Sequence, residues 1–239
     1  VGRKWLTKPS EAMRSVSIII PVFNEERTVD ELLQRVTSVR IAGWKKQIII
    51  VDDGSTDKTR ELLKKWEKYN TVFYQPVNKG KGAALREGFR LARGEIIIIQ
   101  DADLEYSPND YETLLTPFGD ERVSAVYGSR FLGPHLSTMY LYALGNKFVT
   151  WVTNVLYNTN ITDMETGYKA FRVTVLDRIN IAANRFDFEP EFTAKLLKAG
   201  FQIYEVPISY FGRKFAEGKK LTWRDGIVAL WTLIKYRLS

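Results

Sequence analysis

A chain of 239 residues is long enough for one large domain or two small ones, and 45% hydrophobic with 26% charged residues suits a globular protein with a sizeable core. The absence of cysteine excludes disulfides and thiolate metal sites and suits a reducing compartment, and a single histidine, His135, excludes multi-histidine metal sites. The net charge of +7 points to an anionic partner: a nucleic acid, a membrane surface or a phosphorylated small molecule.

Residues 1–12 are polar and lack an apolar h-region, so no secretory signal is expected there, and residues 1–13 read as an N-terminal extension. Apolar, β-rich runs follow at 16–22, 47–51, 71–74 and 95–100, with a further strand expected at 123–128. The runs Ile48-Ile49-Ile50-Val51 and Ile96-Ile97-Ile98-Ile99 do not alternate with polar residues, which is the pattern of a strand buried on both faces in a parallel sheet covered by helices. Helical patterns at 28–40, 57–69 and 81–93 separate the first four runs, so the spacing predicts right-handed βαβ units in a Rossmann-like α/β fold.

Ligands of open α/β sheets bind at the carboxyl ends of the strands. Three polar or acidic segments sit there: Pro21-Val22-Phe23-Asn24-Glu25, Asp52-Asp53-Gly54-Ser55 and Asp101-Ala102-Asp103. Asp101 and Asp103 have the i, i+2 spacing that lets two carboxylates converge on one hard cation, Mg²⁺ or Mn²⁺, and Glu105 continues the period as a third candidate ligand. In the second segment Gly54 permits the turn and Ser55 or Asp57 can cap the next helix, which leaves Asp52 or Asp53 to accept hydrogen bonds from a nucleobase or ribose. The loop Asn78-Lys79-Gly80-Lys81-Gly82 opens a helix where N–H groups and lysine favour an anion.

The second half carries two apolar helical stripes. Leu141, Leu144, Phe148, Trp151, Val152 and Val155 share one face in the stretch 136–157, and Trp223, Ile227, Leu230, Trp231, Ile234 and Leu238 share one near the end. The pair can either pack on the domain or contact a membrane; the second, with Arg224, Lys235 and Arg237 on other faces, has the form of a helix lying in a membrane interface. No basic stripe interleaved with stacking aromatics is present, so no nucleic-acid partner is expected.

Taken together, the segments above, with Gly128-Ser129-Arg130-Phe131, resemble the family 2 glycosyltransferases in residue type and in order. Asp163-Met164-Glu165-Thr166-Gly167-Tyr168-Lys169, Phe188-Glu189-Pro190-Glu191, Glu205-Val206-Pro207-Ile208 and the basic stretch 213–221 are similar to the dolichol- or polyprenyl-phosphate hexosyltransferase branch. The resemblance implies a GT-A fold, with the catalytic domain at 14–221 and an amphipathic, membrane-interfacial helix at 222–239. It implies an inverting, metal-dependent transfer of mannose or glucose from a GDP- or UDP-sugar to a polyprenyl or dolichyl phosphate, with GDP-mannose favoured. The protein would then work peripherally on the cytoplasmic side of a membrane, with room for a membrane-protein partner.

By motif, Pro21, Phe23, Glu25, Asp52, Asp53, Gly80, Lys81, Asp101 and Ala102 would hold the donor, and Asp101, Asp103 and Glu105 the Mg²⁺ or Mn²⁺. Arg130 would meet the acceptor phosphate, and Arg213 and Lys220 would close over the diphosphate. Asp103, Arg130 and Arg213 are therefore the expected catalytic residues. The chain departs from the branch on the helix after Arg130, where Tyr142 and Asn146 replace an arginine and a serine; Asn146 is the acceptor-side candidate there.

A phosphate acceptor is largely dianionic at neutral pH and needs no enzymic base. A hydroxyl acceptor, the competing enzymatic reading, would need a carboxylate such as Asp163, Glu165 or Glu189. A non-catalytic membrane-surface protein, the competing reading of another class, would need neither Asp101 nor Asp103.

Overall fold

The computed structural model describes residues 13–134, 140–212 and 223–239. Strands β1 (Arg14–Val22), β2 (Trp44–Asp52), β3 (Thr71–Tyr74) and β4 (Ile96–Ile99) alternate with helices α1 (Val29–Ser38), α2 (Thr59–Leu63) and α3 (Lys81–Leu91). Then come α4 (Tyr111–Leu115), β5 (Ala125–Ser129), α5 (Tyr140–Tyr157), β6 (Lys169–Arg172), α6 (Phe188–Lys198), β7 (Ile203–Pro207) and α7 (Trp223–Leu238). The seven strands form one sheet in the order β3-β2-β1-β4-β6-β5-β7. All neighbours are parallel except β6, which runs antiparallel to both β4 and β5.

The unbroken apolar runs are buried on both faces, as the sequence predicts. Alternate residues of each strand enter two cores. Ile18, Ile20, Ile48, Ile50, Ile96 and Ile98 meet Leu32, Leu33 and Val36 of α1, Leu63 of α2 and Tyr111 of α4. Ile19, Ile49, Ile97 and Ile99 meet Ala84 and Leu85 of α3 and Phe188, Phe192 and Leu196 of α6. The helix expected over 57–69 is shorter: α2 ends at Leu63 and a single 3₁₀ turn carries the chain to Trp66.

β6 and β7 were not expected. β6 has four residues bounded by Lys169 and Arg172, too short and too charged at its ends for periodicity to register. It succeeds as a central strand because Lys169 is fully buried, with its ammonium donating to the carbonyls of Met164, at 2.9 Å, and Thr166. β7 is an edge strand that ends in Pro207, where a missing N–H is tolerated.

α5 and α7 turn most of each apolar stripe outward, with Val152 and Leu230 packed against the protein. On α5 the inward side chains are Val149, Thr150 and Thr153, whereas Leu141, Leu144, Phe148, Trp151 and Val155 are each at least half exposed. On α7, Ala229, Thr232 and Leu233 are buried while Ile227, Trp231, Ile234 and Leu238 are exposed. The two helices lie against each other, with Tyr157 Oη donating to the Leu233 carbonyl at 2.7 Å and a small shared core of Val149, Met164, Ala194, Ala229 and Leu233. Among the described residues no helix is long and apolar enough to cross a membrane.

Candidate active site

Because β1, β2, β4 and β5 point the same way, the loops after all four open on one edge of the sheet, and antiparallel β6 brings the segment 163–168 to that same edge. The loop after β1 is laced to the loop after β2. Asn24, at φ 51°, donates its N–H to Ser55 Oγ at 3.0 Å, and its side-chain carbonyl accepts from Thr56 N at 2.8 Å. Glu25 N–H donates to Thr59 Oγ1 at 2.9 Å. Asp57, one residue before the α2 N-cap Lys58, accepts from Thr59 N at 2.9 Å; neither it nor Ser55 is the cap residue expected.

Both aspartates at the β2 tip are engaged inside the protein. Asp52 is fully buried, meets Arg60 Nε at 2.6 Å and accepts from Ser55 N at 3.3 Å. Asp53 accepts from Gln75 Nε2 at 3.0 Å, Lys79 N at 2.8 Å and Gly80 N at 2.7 Å. The N–H groups before α3, expected to attract a ligand anion, therefore hold the protein's own carboxylate. Burial raises the Asp53 pKa even against those hydrogen bonds. Gly80 has a φ of 97°, and a Cβ there would strike the Asn184 carbonyl, so this turn admits only glycine.

At the β4 tip the three expected metal ligands separate into two settings. Asp101 turns both oxygens to the Lys81 ammonium, at 2.8 and 3.0 Å, and Lys81 also meets Glu189 at 2.8 Å. Burial opposes the charge on Lys81, but the two carboxylates outweigh it and hold its pKa above the usual value. Asp103 and Glu105 flank Leu104, whose φ of 64° is the left-handed region, and Asp103 Oδ1 accepts from Glu105 N at 3.1 Å. That backbone strain, of order 1–3 kcal/mol, sits between the two carboxylates. Glu105 Oε2 accepts from Tyr210 Oη at 2.7 Å. Ala102 is buried beneath this turn.

Among the described residues no three His, Asp or Glu side chains form a ready-made cation cage. Mg²⁺ and Mn²⁺ commonly take one or two carboxylates and complete their shells with phosphate and water. Asp103 and Glu105, adjacent hard-oxygen donors at a strand tip, fit such a substrate-completed site. In this arrangement Asp101 neutralises Lys81.

Arg130, just past β5, is gripped by Asp163: Nε and one terminal nitrogen each donate at 2.7 Å, and the Arg130 backbone N–H adds a bond of 3.0 Å. Glu205 of β7 fixes the turn that carries Asp163 by accepting from Thr162 N at 2.8 Å and Asp163 N at 3.1 Å. The Arg130 guanidinium also lies 5.4 Å from the centre of the Tyr210 ring. Asn146 is half-buried on α5; its neighbour Lys147 sets its ammonium 5.5 Å over Phe131, beside Arg130. Arg213 and Lys220 lie outside the described residues.

Pro21, Phe23, Glu25, Asp52, Asp53, Gly80, Lys81, Asp101, Ala102, Asp103, Glu105 and Arg130 thus occupy one edge of the sheet. Three partners had no sequence signal of their role. Glu189 bonds to Lys81 from α6, Tyr210 joins Glu105 to Arg130, and Lys169 is buried under the segment 163–168.

This architecture is that of a GT-A glycosyltransferase. Its fold matches glucosyl-3-phosphoglycerate synthase from Mycobacterium tuberculosis, solved with Mn²⁺, UDP and glucosyl-3-phosphoglycerate, at a TM-score of 0.73 and 18% identity over 95% of this chain and 81% of that one. Residues 17–179 match Glycosyl transferase family 2, and the chain belongs to that family. It is 30% identical to an uncharacterized protein of Methanocaldococcus jannaschii, over 93% of this chain and 92% of the relative. It is 28% identical to a dolichyl-phosphate beta-glucosyltransferase of Trichomonas vaginalis, over 82% of this chain and only 65% of the relative's length.

Proposed function

We propose that this protein transfers a hexose, with inversion, from a GDP- or UDP-sugar to a polyprenyl phosphate at a membrane surface. Residues 14–221 are the catalytic domain in this reading, and residues 222–239 are the interfacial helix. The observation that carries it is the position of Tyr210, whose hydroxyl bonds Glu105 at 2.7 Å and whose ring lies 5.4 Å from the Arg130 guanidinium. The candidate cation ligand and the candidate acceptor-phosphate cation are bridged by one side chain, so a diphosphate bound at one and a monophosphate at the other would be neighbours. The dolichyl phosphate in the relative's name and the Mn²⁺ and UDP of the solved neighbour support the same chemistry.

Asp103 and Glu105 would hold the divalent cation, which supplies neutralisation of the charge that builds on the departing nucleoside diphosphate. Arg130, held in one orientation by Asp163, positions the incoming phosphate by a charge-assisted contact. Asp163 also tempers the guanidinium, so the phosphate is oriented without losing its nucleophilic character. Asp52, Asp53 and the laced loops after β1 and β2 shape the nucleoside end. Arg213 and Lys220 remain the proposed closing pair over the diphosphate, and Asn146 the proposed acceptor-side contact.

The outward apolar faces of α5 and α7 give the acceptor its setting. Adjacent helices exposing Phe148, Trp151, Trp231 and Leu238 suit a lipid interface. The deciding experiment incubates the protein with radiolabelled UDP-glucose or GDP-mannose and a polyprenyl phosphate in detergent, with Mn²⁺ or with EDTA. Label entering the organic phase only with metal is expected. Label transferred instead to soluble saccharides would remove the lipid-phosphate assignment.

A further inference from the structure

The segment 163–168 lies between the two ion clusters of the site, and nearly every part of it is pinned. Met164 N–H donates to Thr150 Oγ1 at 3.1 Å, Thr166 Oγ1 donates to the Gly128 carbonyl at 2.7 Å, and Gly167 N–H donates to Tyr106 Oη at 3.0 Å. On one side Asp163 grips Arg130. On the other, Gly167 is so close to Asp101 that a Cβ would overlap its carboxylate and sit 3.3 Å from the Lys81 ammonium.

Glu165 stands between them. Its Oε1 is buried and, among the described residues, is the one buried side-chain polar atom with no hydrogen-bond partner. Such an orphan calls for a ligand or a reason. The neighbouring cations are already engaged: Lys169 on backbone carbonyls and 4.3 Å over the Tyr127 ring, Arg130 on Asp163, Lys81 on Asp101 and Glu189. The charges facing Glu165 are Glu189 from α6, Lys169 from β6, Arg130 from the end of β5 and Asp163 from its own segment. With those cations already paired, what the wall offers is the acceptor oxygen of Glu165, which suits a neutral hydrogen-bond donor.

We propose that Glu165 reads the sugar being transferred, its buried Oε1 accepting a hydrogen bond from one hydroxyl of the donor hexose. This makes it a specificity-determining residue, and it rests on the nucleotide-sugar reading above. The phosphates lie toward Asp103 and Arg130, and the hexose fills the wall between Asp163 and Glu189. Burial and Glu189 push the Glu165 carboxyl up to a pKa of about 7, and a hydroxyl donor would favour the charged form.

Calorimetric titration of the full chain tests this, with Mn²⁺ and UDP, GDP, UDP-glucose, GDP-mannose and monodeoxy analogues of whichever donor binds. Glu165→Met, which keeps the length of the side chain and removes both acceptor oxygens, is expected to bind the free nucleoside diphosphate as the wild type does and to lose about tenfold in affinity for the intact donor, the size of a hydrogen bond to a charged group. One monodeoxy donor should lose a similar factor against the wild type and nothing further against the variant. That analogue tests the contact on the unaltered chain as well. Equal weakening of nucleotide and donor, no change in either, or intact donor affinity with transfer abolished would each overturn the assignment. Failure of the wild type to bind any of the four nucleotides would instead bring down the donor reading, and this one with it.

Discussion

Asp163 and Arg130 face each other as a fork on a fork, two bonds of 2.7 Å between side chains that are 0% and 14% exposed. An arginine held this way has one orientation, which is what placing an acceptor anion requires. Asp163→Asn keeps the shape, removes the charge and turns an amide N–H₂ toward the guanidinium. Truncating one partner of a buried, hydrogen-bonded pair costs about 2–5 kcal/mol. We expect kcat/KM for the lipid phosphate to fall by about 100-fold and the melting temperature to drop, with donor affinity unchanged. Initial rates at varied acceptor and fixed donor check this; a loss confined to donor affinity would refute the positioning role.

Asp101 and Asp103, two residues apart, are expected to respond differently to substitution. Asp103→Ala should abolish the gain in UDP or GDP affinity that Mn²⁺ provides, and transfer with it. Asp101→Asn should keep a metal-dependent gain and lower stability, because Lys81 would retain a single carboxylate partner, Glu189. Thermal shift with and without Mn²⁺ separates the two. Loss of metal dependence in both variants would place Asp101 among the cation's ligands.

The raised Glu165 pKa sets a pH signature for stability. A carboxyl near 7 in the folded chain and near 4.5 unfolded stays protonated longer in the folded state, so its contribution falls as pH rises between those values. Glu165→Gln removes this term. The variant's stability relative to wild type should therefore increase between about pH 5 and pH 8, by about 1–3 kcal/mol. Urea unfolding at several pH values reads it; a pH-independent difference would mean the carboxyl is ionised throughout.

The outward faces of α5 and α7 predict variants that lose membrane contact and keep the fold. Phe148 is 51% and Trp231 66% exposed. Replacing each with serine should leave the melting temperature within about 1 °C, because surface changes of this kind are usually within ±0.5 kcal/mol. Each should weaken co-sedimentation with anionic vesicles by about tenfold, from the apolar area withheld from the interface. Unchanged vesicle binding in the double variant would move the membrane contact elsewhere.

The sequence by itself determined the α/β class, the four leading strands and the edge of the sheet where the chemistry lies. Those features are local: an unbroken apolar run such as residues 96–99 has one stable fate, and the acidic residues that follow it must fall at its carboxyl end. The family resemblance was equally legible, because it resides in short ordered segments. Tertiary structure alone decided the pairings. Asp101 meets Lys81 and Glu189, Asp53 closes the turn at Gly80, and Tyr210 joins Glu105 to Arg130 across 105 and 80 residues of chain. It also decided which side of α5 and α7 faces outward. A helical period shows that a stripe exists, and the partner that covers the opposite face is chosen by contacts distant in sequence. Here Val149, Thr150, Thr153, Ala229 and Leu233 turn inward, and Phe148, Trp151 and Trp231 are left outside.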